Sequence, residues 1–157
     1  MNIKLFVVGK TNESYLQVGI DEYLKRLTRY ANFSMEVIPD VKNAKSLTPA
    51  QLKTAESTLL MNKIDSSDHL ILLDENGAEY SSEGFARFIE QMGLRSVKTL
   101  VFVVGGAFGF DDVMYKRANG KLSLSKMTFS HQMIRLLFVE QLYRAHTIIK
   151  GEPYHHK

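Results

Sequence analysis

The sequence contains no cysteine among its 157 residues. Disulfide bonds, thiolate metal sites and cysteine nucleophiles are therefore excluded, and the composition fits a reducing cytoplasm. The sequence also lacks an apolar run of the roughly 20 residues that a membrane-spanning helix needs. The first ten residues, MNIKLFVVGK, carry only a short apolar stretch. We therefore expect them to form a first β-strand, not a signal peptide, in a cytoplasmic protein with no membrane partner.

Several enzyme motifs are missing as well. Gly9-Lys10-Thr11 resembles the end of a phosphate-binding loop, but that motif requires a glycine at position 4, where the chain has Lys4. His-Glu-x-x-His, Gly-x-Ser-x-Gly and EF-hand patterns do not occur. Asp74 and Glu75 are adjacent, so in an extended segment they point apart and do not form an acid–base pair. The motifs therefore predict neither a metal site nor a nucleotide phosphate site.

What is present is an ordinary globular composition with a weak basic character. Hydrophobic residues make up 45% of the chain and charged residues 24%, and the formal net charge is +3. The length predicts a single domain over residues 1–157. A net charge of this size permits a nucleic-acid partner but does not require one.

Strand-like and helix-like patterns alternate along the chain. Short apolar runs or alternating apolar residues indicate strands, and apolar residues three or four apart indicate helices. The sequence Thr48-Pro49-Ala50-Gln51 is typical of a helix start. The predicted strands are 3–8, 33–39, 69–73, 98–104 and 122–125, and the predicted helices are 13–30, 49–64, 82–92, 110–116 and 133–149. This order predicts an α/β fold in which helices cover both faces of a parallel sheet.

A glycine-rich turn follows the predicted strand 98–104. Residues 103–110 read VVGGAFGF, so the strand ends at Gly105-Gly106 and Gly109 follows. Ligands on open α/β sheets bind at the carboxyl ends of strands, where this turn is expected. The pattern is not Gly-x-Gly-x-x-Gly, which argues against a dinucleotide site. The glycines therefore serve either a tight turn within the chain or the close approach of a ligand without a phosphate.

The segment 133–149 predicts a helix with apolar side chains around most of its circumference. Such a helix needs burial on more than one side, which the C-terminal helix of a small domain does not easily find within one chain. We therefore expect a homodimer with two-fold symmetry. Arg135, Glu140 and Arg144 are embedded in this helix and are expected at a groove edge or paired with each other. Glu140 precedes Arg144 by four residues, the order that favours an ion pair.

Several segments together resemble the SPOUT methyltransferase superfamily. Within it, they resemble the pseudouridine N3-methyltransferases of large-subunit ribosomal RNA (the RlmH family). The segments are Leu73-Asp74, Val104-Gly105-Gly106 with Gly109, residues 123–131 (SLSKMTFSH), and Leu142-Tyr143-Arg144-Ala145 followed by Pro153-Tyr154-His155. Val8-Gly9-Lys10 and Tyr23-Leu24-Lys25-Arg26 extend the resemblance over essentially the whole chain. Each motif alone is weak, whereas their order and spacing together are specific.

The resemblance implies a fold that the residue patterns do not predict. It implies an α/β/α sandwich whose C-terminal part forms a trefoil knot, a rare connectivity, in an obligate homodimer. It also implies S-adenosyl-L-methionine as the cofactor, with its adenine between the glycine turn and residues 124–129. The cofactor-binding residues carried over by position are Leu73, Gly105, Leu124, Ser125, Lys126, Met127, Thr128 and Phe129. No metal is needed, because the sulfonium methyl is already activated.

The implied reaction is the in-line attack of a base nitrogen on the sulfonium methyl, with loss of the imide proton. The candidate catalytic residues are His131, Arg144, Tyr154 and His155. Histidine suits proton transfer near neutral pH, and Arg144 can stabilise a developing anion or hold phosphate. His131 could equally be a helix-start residue with local backbone contacts. The family often has an arginine after the tail histidine, where this chain has His156 and Lys157.

The resemblance implies 23S ribosomal RNA in the assembled ribosome as the substrate. The candidate RNA contacts are Lys25, Arg26, Arg29, Lys42, Lys45, Lys116, Arg117 and Lys121. Two other functions stay open at this point. One is a non-catalytic dimeric α/β protein that binds a nucleotide-like ligand. The other is a SPOUT enzyme that methylates transfer RNA or another ribosomal RNA site.

Overall fold

The computed structural model describes residues 1–156, and Lys157 lies outside the described residues. In chain order the elements are β1 (Asn2–Val8), α1 (Ser14–Leu27), β2 (Asn32–Ile38), a 3-10 turn (Ala44–Ser46), α2 (Pro49–Met61), β3 (His69–Glu79), α3 (Ser82–Leu94), β4 (Thr99–Val104), α4 (Asp112–Arg117), β5 (Gly120–Ser123) and α5 (Met133–Lys150). The strands form one sheet in the order β2-β1-β4-β3-β5. All four strand pairs are parallel, which confirms the predicted sheet.

Helices cover both faces of the sheet because the central strands send apolar side chains to both sides. In β1, Ile3, Leu5 and Val7 enter one core, and Phe6 and Val8 enter the other. Helices α1, α3 and α5 pack over the first core, and α2 and α4 pack over the second. Strands buried on both faces read as continuous apolar runs, which is why the sequence pattern predicts three layers correctly.

The helix ends follow the local chemistry of the sequence. Thr48 Oγ1 accepts a hydrogen bond from the Gln51 amide at 3.2 Å, and Gln51 Oε1 accepts one from the Thr48 amide at 2.9 Å. This reciprocal pair is the capping box that the sequence predicts. Ser81 caps α3 by accepting from the Gly84 amide at 3.0 Å. Gly151, at φ +70°, ends α5 in the left-handed conformation that glycine adopts without strain.

Strand β3 is longer than the strand predicted at 69–73. It continues to Glu79 through an irregularity, because Leu73 and Ala78 both pair with Leu122 of β5. A Cβ on Gly77 would lie 2.6 Å from the Leu122 amide nitrogen, so the chain passes β5 more closely than a side chain permits. The apolar run marks only the buried half of the strand, and the polar half escapes a pattern based on hydropathy.

Arg135 is fully buried, whereas the sequence places it at a groove edge or in an ion pair. Its guanidinium donates to the carbonyl oxygens of Val8 at 2.8 Å and Gly9 at 2.7 Å, and to that of His131 at 3.0 Å. Burial lowers the pKa of Arg135, but these carbonyl groups satisfy the charge. Arg135 therefore fixes the start of α5 against the end of β1.

Two features are absent from the described residues. Among residues 1–156, no helix combines the length and hydropathy needed to cross a membrane. In the same part of the chain, no group of three or more histidine, aspartate and glutamate side chains is arranged to hold a metal ion. The potential sites are instead a cavity at the sheet edge and a polar cluster around the C-terminal tail.

Candidate active site

A cavity of about 560 Å³ opens at the carboxyl ends of β4 and β5, beside residues 73–76 in the middle of β3. Its lining residues are 73–76, 104–110, 115, 122–125, 127–131 and 134. This volume lies in the range of about 300–1,000 Å³ that is typical of small-molecule sites. Each predicted cofactor residue lines this cavity except Lys126, which is exposed and is not among the lining residues.

The glycine turn is fitted closely to side chains behind it. A Cβ on Gly105 would lie 3.2 Å from two ring atoms of Phe110, and a Cβ on Gly106 would lie 2.4 Å from Oε2 of Glu56. Gly109, at φ +80°, closes the turn with a 3.1 Å hydrogen bond to the Gly106 carbonyl. The glycines therefore form a tight turn: their backbone lines the cavity, and other segments of the chain pack where side chains would be.

The segment 124–131 forms the opposite wall. Ser123 Oγ donates to the Ser125 carbonyl at 2.8 Å, and Ser125 Oγ accepts from the Met127 amide at 3.0 Å. These local bonds end β5 at Ser123, two residues earlier than the sequence predicts. Met127 lines the cavity but is 76% exposed. Leu122 and Leu124 supply apolar surface deeper in the same wall.

Two carboxylates stand at the cavity, each held by a different partner. Asp74 accepts a hydrogen bond from the Tyr115 hydroxyl, and Glu75 accepts one from Thr128 Oγ1 at 2.8 Å. Burial, and then the bond to Asp74, raise the pKa of Tyr115 to about 12, so the phenol stays protonated as the donor. As predicted, the two acids do not form a pair. They tie β3 to α4 and to segment 124–131 and leave the cavity lined with negative charge.

His131 is the one predicted catalytic residue among those that line the cavity. Burial, followed by the positive charge of Arg135, lowers the pKa of His131, and Asp40 opposes that shift. The imidazole is therefore neutral near pH 7 and can accept a proton. Its carbonyl also accepts from Arg135 Nε at 3.0 Å. This bond is the local backbone contact that the sequence offered as the alternative role.

Arg144, Tyr154 and His155 lie elsewhere in the same chain. None of them lines the cavity, and Arg144 sits 11 residues beyond Met133, the first residue of α5. A rise of about 1.5 Å per residue places it about 16 Å along the helix. The structure therefore brings these three predicted residues together and leaves them outside the cavity that His131 and the cofactor residues line.

The three residues belong to a hydrogen-bonded group that we call the tail cluster: Glu83, Glu140, Gln141, Arg144, Tyr154 and His155. Arg144 Nη2 donates to Glu140 Oε1 at 2.5 Å, which confirms the predicted ion pair. Arg144 Nη1 lies 3.1 Å from His155 Nδ1, and His155 Nε2 lies 3.1 Å from Glu83 Oε1. Tyr154 donates its hydroxyl proton to Glu140 Oε1 at 3.1 Å.

Aromatic rings hold the tail against α1 and α5. Tyr154 packs edge-on against Tyr143, with ring centroids 4.7 Å apart, and its hydroxyl lies 3.1 Å from that of Tyr23. Because the Tyr154 proton is directed to Glu140, Tyr23 is the donor in this second bond. Burial and the bond to Tyr23 raise the pKa of Tyr154. Tyr154 is therefore a hydrogen-bond donor near neutral pH and not a proton acceptor.

The candidate RNA-binding residues differ in whether their side chains are free to contact RNA. Arg117 donates to the carbonyl oxygens of Asp65 and Asp68 at 2.9 Å each, so it holds a loop. Arg26 pairs with Glu22 and stacks over the rings of Tyr23 and Tyr143. The exposed members of the predicted set are Lys25, Arg29, Lys42, Lys45, Lys116 and Lys121.

Sequence reasoning missed three side chains that shape these sites. Glu56 lies behind Gly106, where burial and then the charge of Asp40 raise the pKa of Glu56 to about 7. Glu83 and Gln141 join the tail cluster from α3 and α5. A glutamate in the first turn of a helix is ordinary, and nothing local to these residues indicates their distant partners.

Comparison with known proteins establishes the family of this chain. A family described as "Predicted SPOUT methyltransferase" matches residues 1–155. The chain belongs to the SPOUT methyltransferase family. It is 54% identical over 157 residues to the ribosomal RNA large subunit methyltransferase H of Flavobacterium johnsoniae, and 53% identical over the same length to the protein of that name in Parabacteroides distasonis. Both alignments cover 100% of each chain. The predicted SPOUT resemblance is therefore confirmed over the length of the domain.

Proposed function

We propose that this chain transfers a methyl group from S-adenosyl-L-methionine to N3 of a pseudouridine in 23S ribosomal RNA of the assembled ribosome. The observation that carries the proposal is the full-length similarity, at 53–54% identity, to proteins named ribosomal RNA large subunit methyltransferase H. The protein would act in the cytoplasm as a single domain. The few exposed basic residues favour a preassembled target, because several RNA walls can then share in docking.

The chemistry of the cavity supports the cofactor. S-adenosyl-L-methionine supplies an electrophilic methyl group on a positively charged sulfur. Leu73, Leu122 and Leu124 offer apolar surface for an adenine ring. Asp74 and Glu75 favour a cation at the cavity mouth, and the backbone of Gly105 can reach a base edge without an intervening side chain.

Residues of the cavity and of the tail cluster would have different roles in the reaction. His131 lines the cavity and is neutral near pH 7, so we assign it the role of accepting the proton that the imide nitrogen loses. His155 is a poorer acceptor, because its Nδ1 already faces an Arg144 donor. Arg144 and Tyr154 both remain protonated donors. Each can therefore stabilise the negative charge that the base carries as its nitrogen is deprotonated.

A homodimer would join the two parts of the site. The separation of about 16 Å along α5 keeps the tail of one chain away from its own cavity. We propose that the tail of one copy completes the cavity of its partner, across a two-fold axis. The partly exposed apolar side chains Met133, Leu136 and Leu137 of α5 offer surface for that contact. The trefoil knot is part of the same proposal and is supported by the family membership.

Mixed dimers test the composite site. One partner carries Gly105→Val, and the other lacks residues 154–157. If the tail acts on the partner's cavity, the mixed dimer has one complete site, and random mixing restores about a quarter of wild-type activity. If each tail serves its own cavity, every site contains one defect and the mixture stays inactive. An inactive mixture that analytical ultracentrifugation shows to be fully dimeric contradicts the composite site.

The function itself is tested by methyl transfer to defined RNA substrates. Ribosomes from a strain that lacks this protein, free 23S RNA and transfer RNA are each incubated with enzyme and labelled S-adenosyl-L-methionine. We expect label only in the assembled ribosomes, at one pseudouridine that mass mapping identifies as N3-methylated. Transfer should weaken as salt rises, because phosphate contacts are screened.

Three outcomes contradict the proposal in different ways. Label in transfer RNA alone assigns another substrate within the SPOUT family. Label in free 23S RNA at the ribosomal rate removes the requirement for assembly. Cofactor binding by calorimetry without transfer to any RNA supports a non-catalytic binding protein. Gly93→Val is the matched control for Gly105→Val, since a Cβ at Gly93 meets no atom within 4 Å.

A further inference from the structure

Glu83 is the second residue of α3, and it lies 72 positions before its partner His155. Its Oε1 is 3.1 Å from His155 Nε2, and the side chains of His155 and Glu83 are only 18% and 29% exposed. A surface pair between mobile side chains contributes little. This pair, in contrast, lies between α3 and a tail that is already bonded to α5.

The partners of His155 fix the position of its proton. A guanidinium has only donors, so the contact at 3.1 Å between Arg144 Nη1 and His155 Nδ1 requires a lone pair on Nδ1. The imidazole proton must then lie on Nε2, where the carboxylate of Glu83 accepts it. The arrangement therefore selects one neutral tautomer of His155, and Glu83 is the group that holds the Nε2 proton.

The first turn of α3 contacts both ends of the tail cluster. Ser82 Oγ donates to Gln141 Oε1 at 2.9 Å, and Gln141 Nε2 donates to Glu140 Oε2 at 3.1 Å. Glu140 binds Arg144 and Tyr154, and Arg144 binds His155. His155 in turn forms a hydrogen bond with Glu83, the residue next to Ser82 in the chain. Together with the main chain between Ser82 and Glu83, these hydrogen bonds form a closed ring that includes Arg144.

We infer that Glu83 is a positioning residue for the methyl transfer: by holding His155 in its Nε2–H tautomer, it aims Arg144 and the tail at the substrate. This inference rests on the proposed function. It assigns Glu83 no contact with the substrate or the cofactor, since Glu83 does not line the cavity. Removing Glu83 should therefore impair the chemical step and leave cofactor binding unchanged.

The test measures the tautomer and the kinetics separately. Long-range ¹H–¹⁵N NMR spectra, assigned with a His155→Gln variant, report which ring nitrogen of His155 carries the proton. We expect Nε2–H in the wild type and a mixture of tautomers in Glu83→Ala, where the ring is no longer held with its Nδ1 against Arg144. We expect Nε2–H again in Glu83→Gln, whose amide oxygen can still accept. In turnover assays, Glu83→Ala should lower kcat about tenfold or more and leave the KM for S-adenosyl-L-methionine within about twofold, and Glu83→Gln should restore most of kcat.

Controls separate positioning from a structural role. Glu90→Ala changes an exposed glutamate of the same helix and should alter neither the tautomer nor kcat. Glu83 belongs to neither hydrophobic core, so Glu83→Ala, which loses one favourable helix-end charge, should remain folded. An unchanged His155 tautomer in Glu83→Ala overturns the inference, as does an equal loss of kcat in Glu83→Gln. If the wild type transfers no methyl group, the proposed function fails, and the NMR result still decides whether Glu83 sets the tautomer of His155.

Discussion

The cavity and the tail cluster differ in what fixes their geometry. The cavity is shaped mainly by main chain: a glycine turn faces segment 124–131, which is held by short serine and threonine bonds. The tail cluster is made of long side chains that bond one another across α1, α3, α5 and the tail. One region is therefore sensitive to added atoms and the other to lost hydrogen bonds.

This contrast implies that binding and chemistry can be damaged independently. A side chain added in the cavity should exclude the cofactor and leave the tail in place. A group removed from the tail should leave the cavity intact and disrupt the alignment of the transfer. A variant that affected both regions equally would show that they are not separate parts.

Removal of the tail should have the largest effect. Deleting residues 154–157 removes Tyr154 and His155 and leaves Arg144 paired with Glu140 alone among its described side-chain partners. We expect methyl transfer to fall at least about 100-fold, because alignment at the reacting atoms is worth several kcal/mol. Cofactor affinity by calorimetry and the dimer mass should be unchanged. Wild-type turnover by the truncated protein would remove any role for the tail.

The second prediction concerns Gly105→Val, which changes the cavity and leaves the tail intact. The Cβ would lie 3.2 Å from the Phe110 ring, and the valine methyl groups would extend into a wall of the cavity. Cofactor affinity should fall about tenfold or more by calorimetry, while the NMR signals of His155 stay as in the wild type. Retained affinity in Gly105→Val, with Gly93→Val as the reference, would place the cofactor somewhere else.

The two regions also differ in how far the sequence could predict them. The glycine turn and segment 123–131 are local, so their order and spacing along the chain carry the family resemblance that predicts them, and the structure places them around one cavity. The tail cluster joins Tyr154 to Tyr23 over 131 positions and His155 to Glu83 over 72. Periodicity contains no information about such contacts, and Glu83 carries no motif of its own.

Arg135 and β3 show the same limit inside the fold. Helical spacing marks Arg135 only as a charge among apolar residues, whereas its burial depends on carbonyl groups of β1, which lies far away in sequence. The second half of β3 is polar and pairs with β5 past an irregularity. Tertiary contacts override local hydropathy in both places.

A third prediction concerns the pH dependence of stability. Burial and Asp40 raise the pKa of Glu56 from 4.5 to about 7. Its contribution to stability is therefore fully present below about pH 4.5 and is lost as the pH rises through about 7. Glu56→Gln should be more stable than the wild type by about 3 kcal/mol at pH 8.5 and equally stable at pH 4.5, in urea unfolding. If the stabilities of the wild type and Glu56→Gln change with pH in parallel between pH 4.5 and pH 8.5, the prediction is contradicted. Glu90→Gln, which changes an exposed glutamate, serves as the control.

The last prediction isolates the rear wall of the cavity. In Gly106→Ala the new Cβ would lie 2.4 Å from Glu56 Oε2 and 2.9 Å from its Cδ. The carboxylate must move within a site where Glu56 is only 7% exposed, so we expect a loss of about 2 kcal/mol. Glu56→Ala removes the colliding group, and the double variant should recover at least half of that loss. Additive changes in a double-mutant cycle would mean that Gly106 is required for its backbone conformation or for the ligand, and not because Glu56 fills the space behind it.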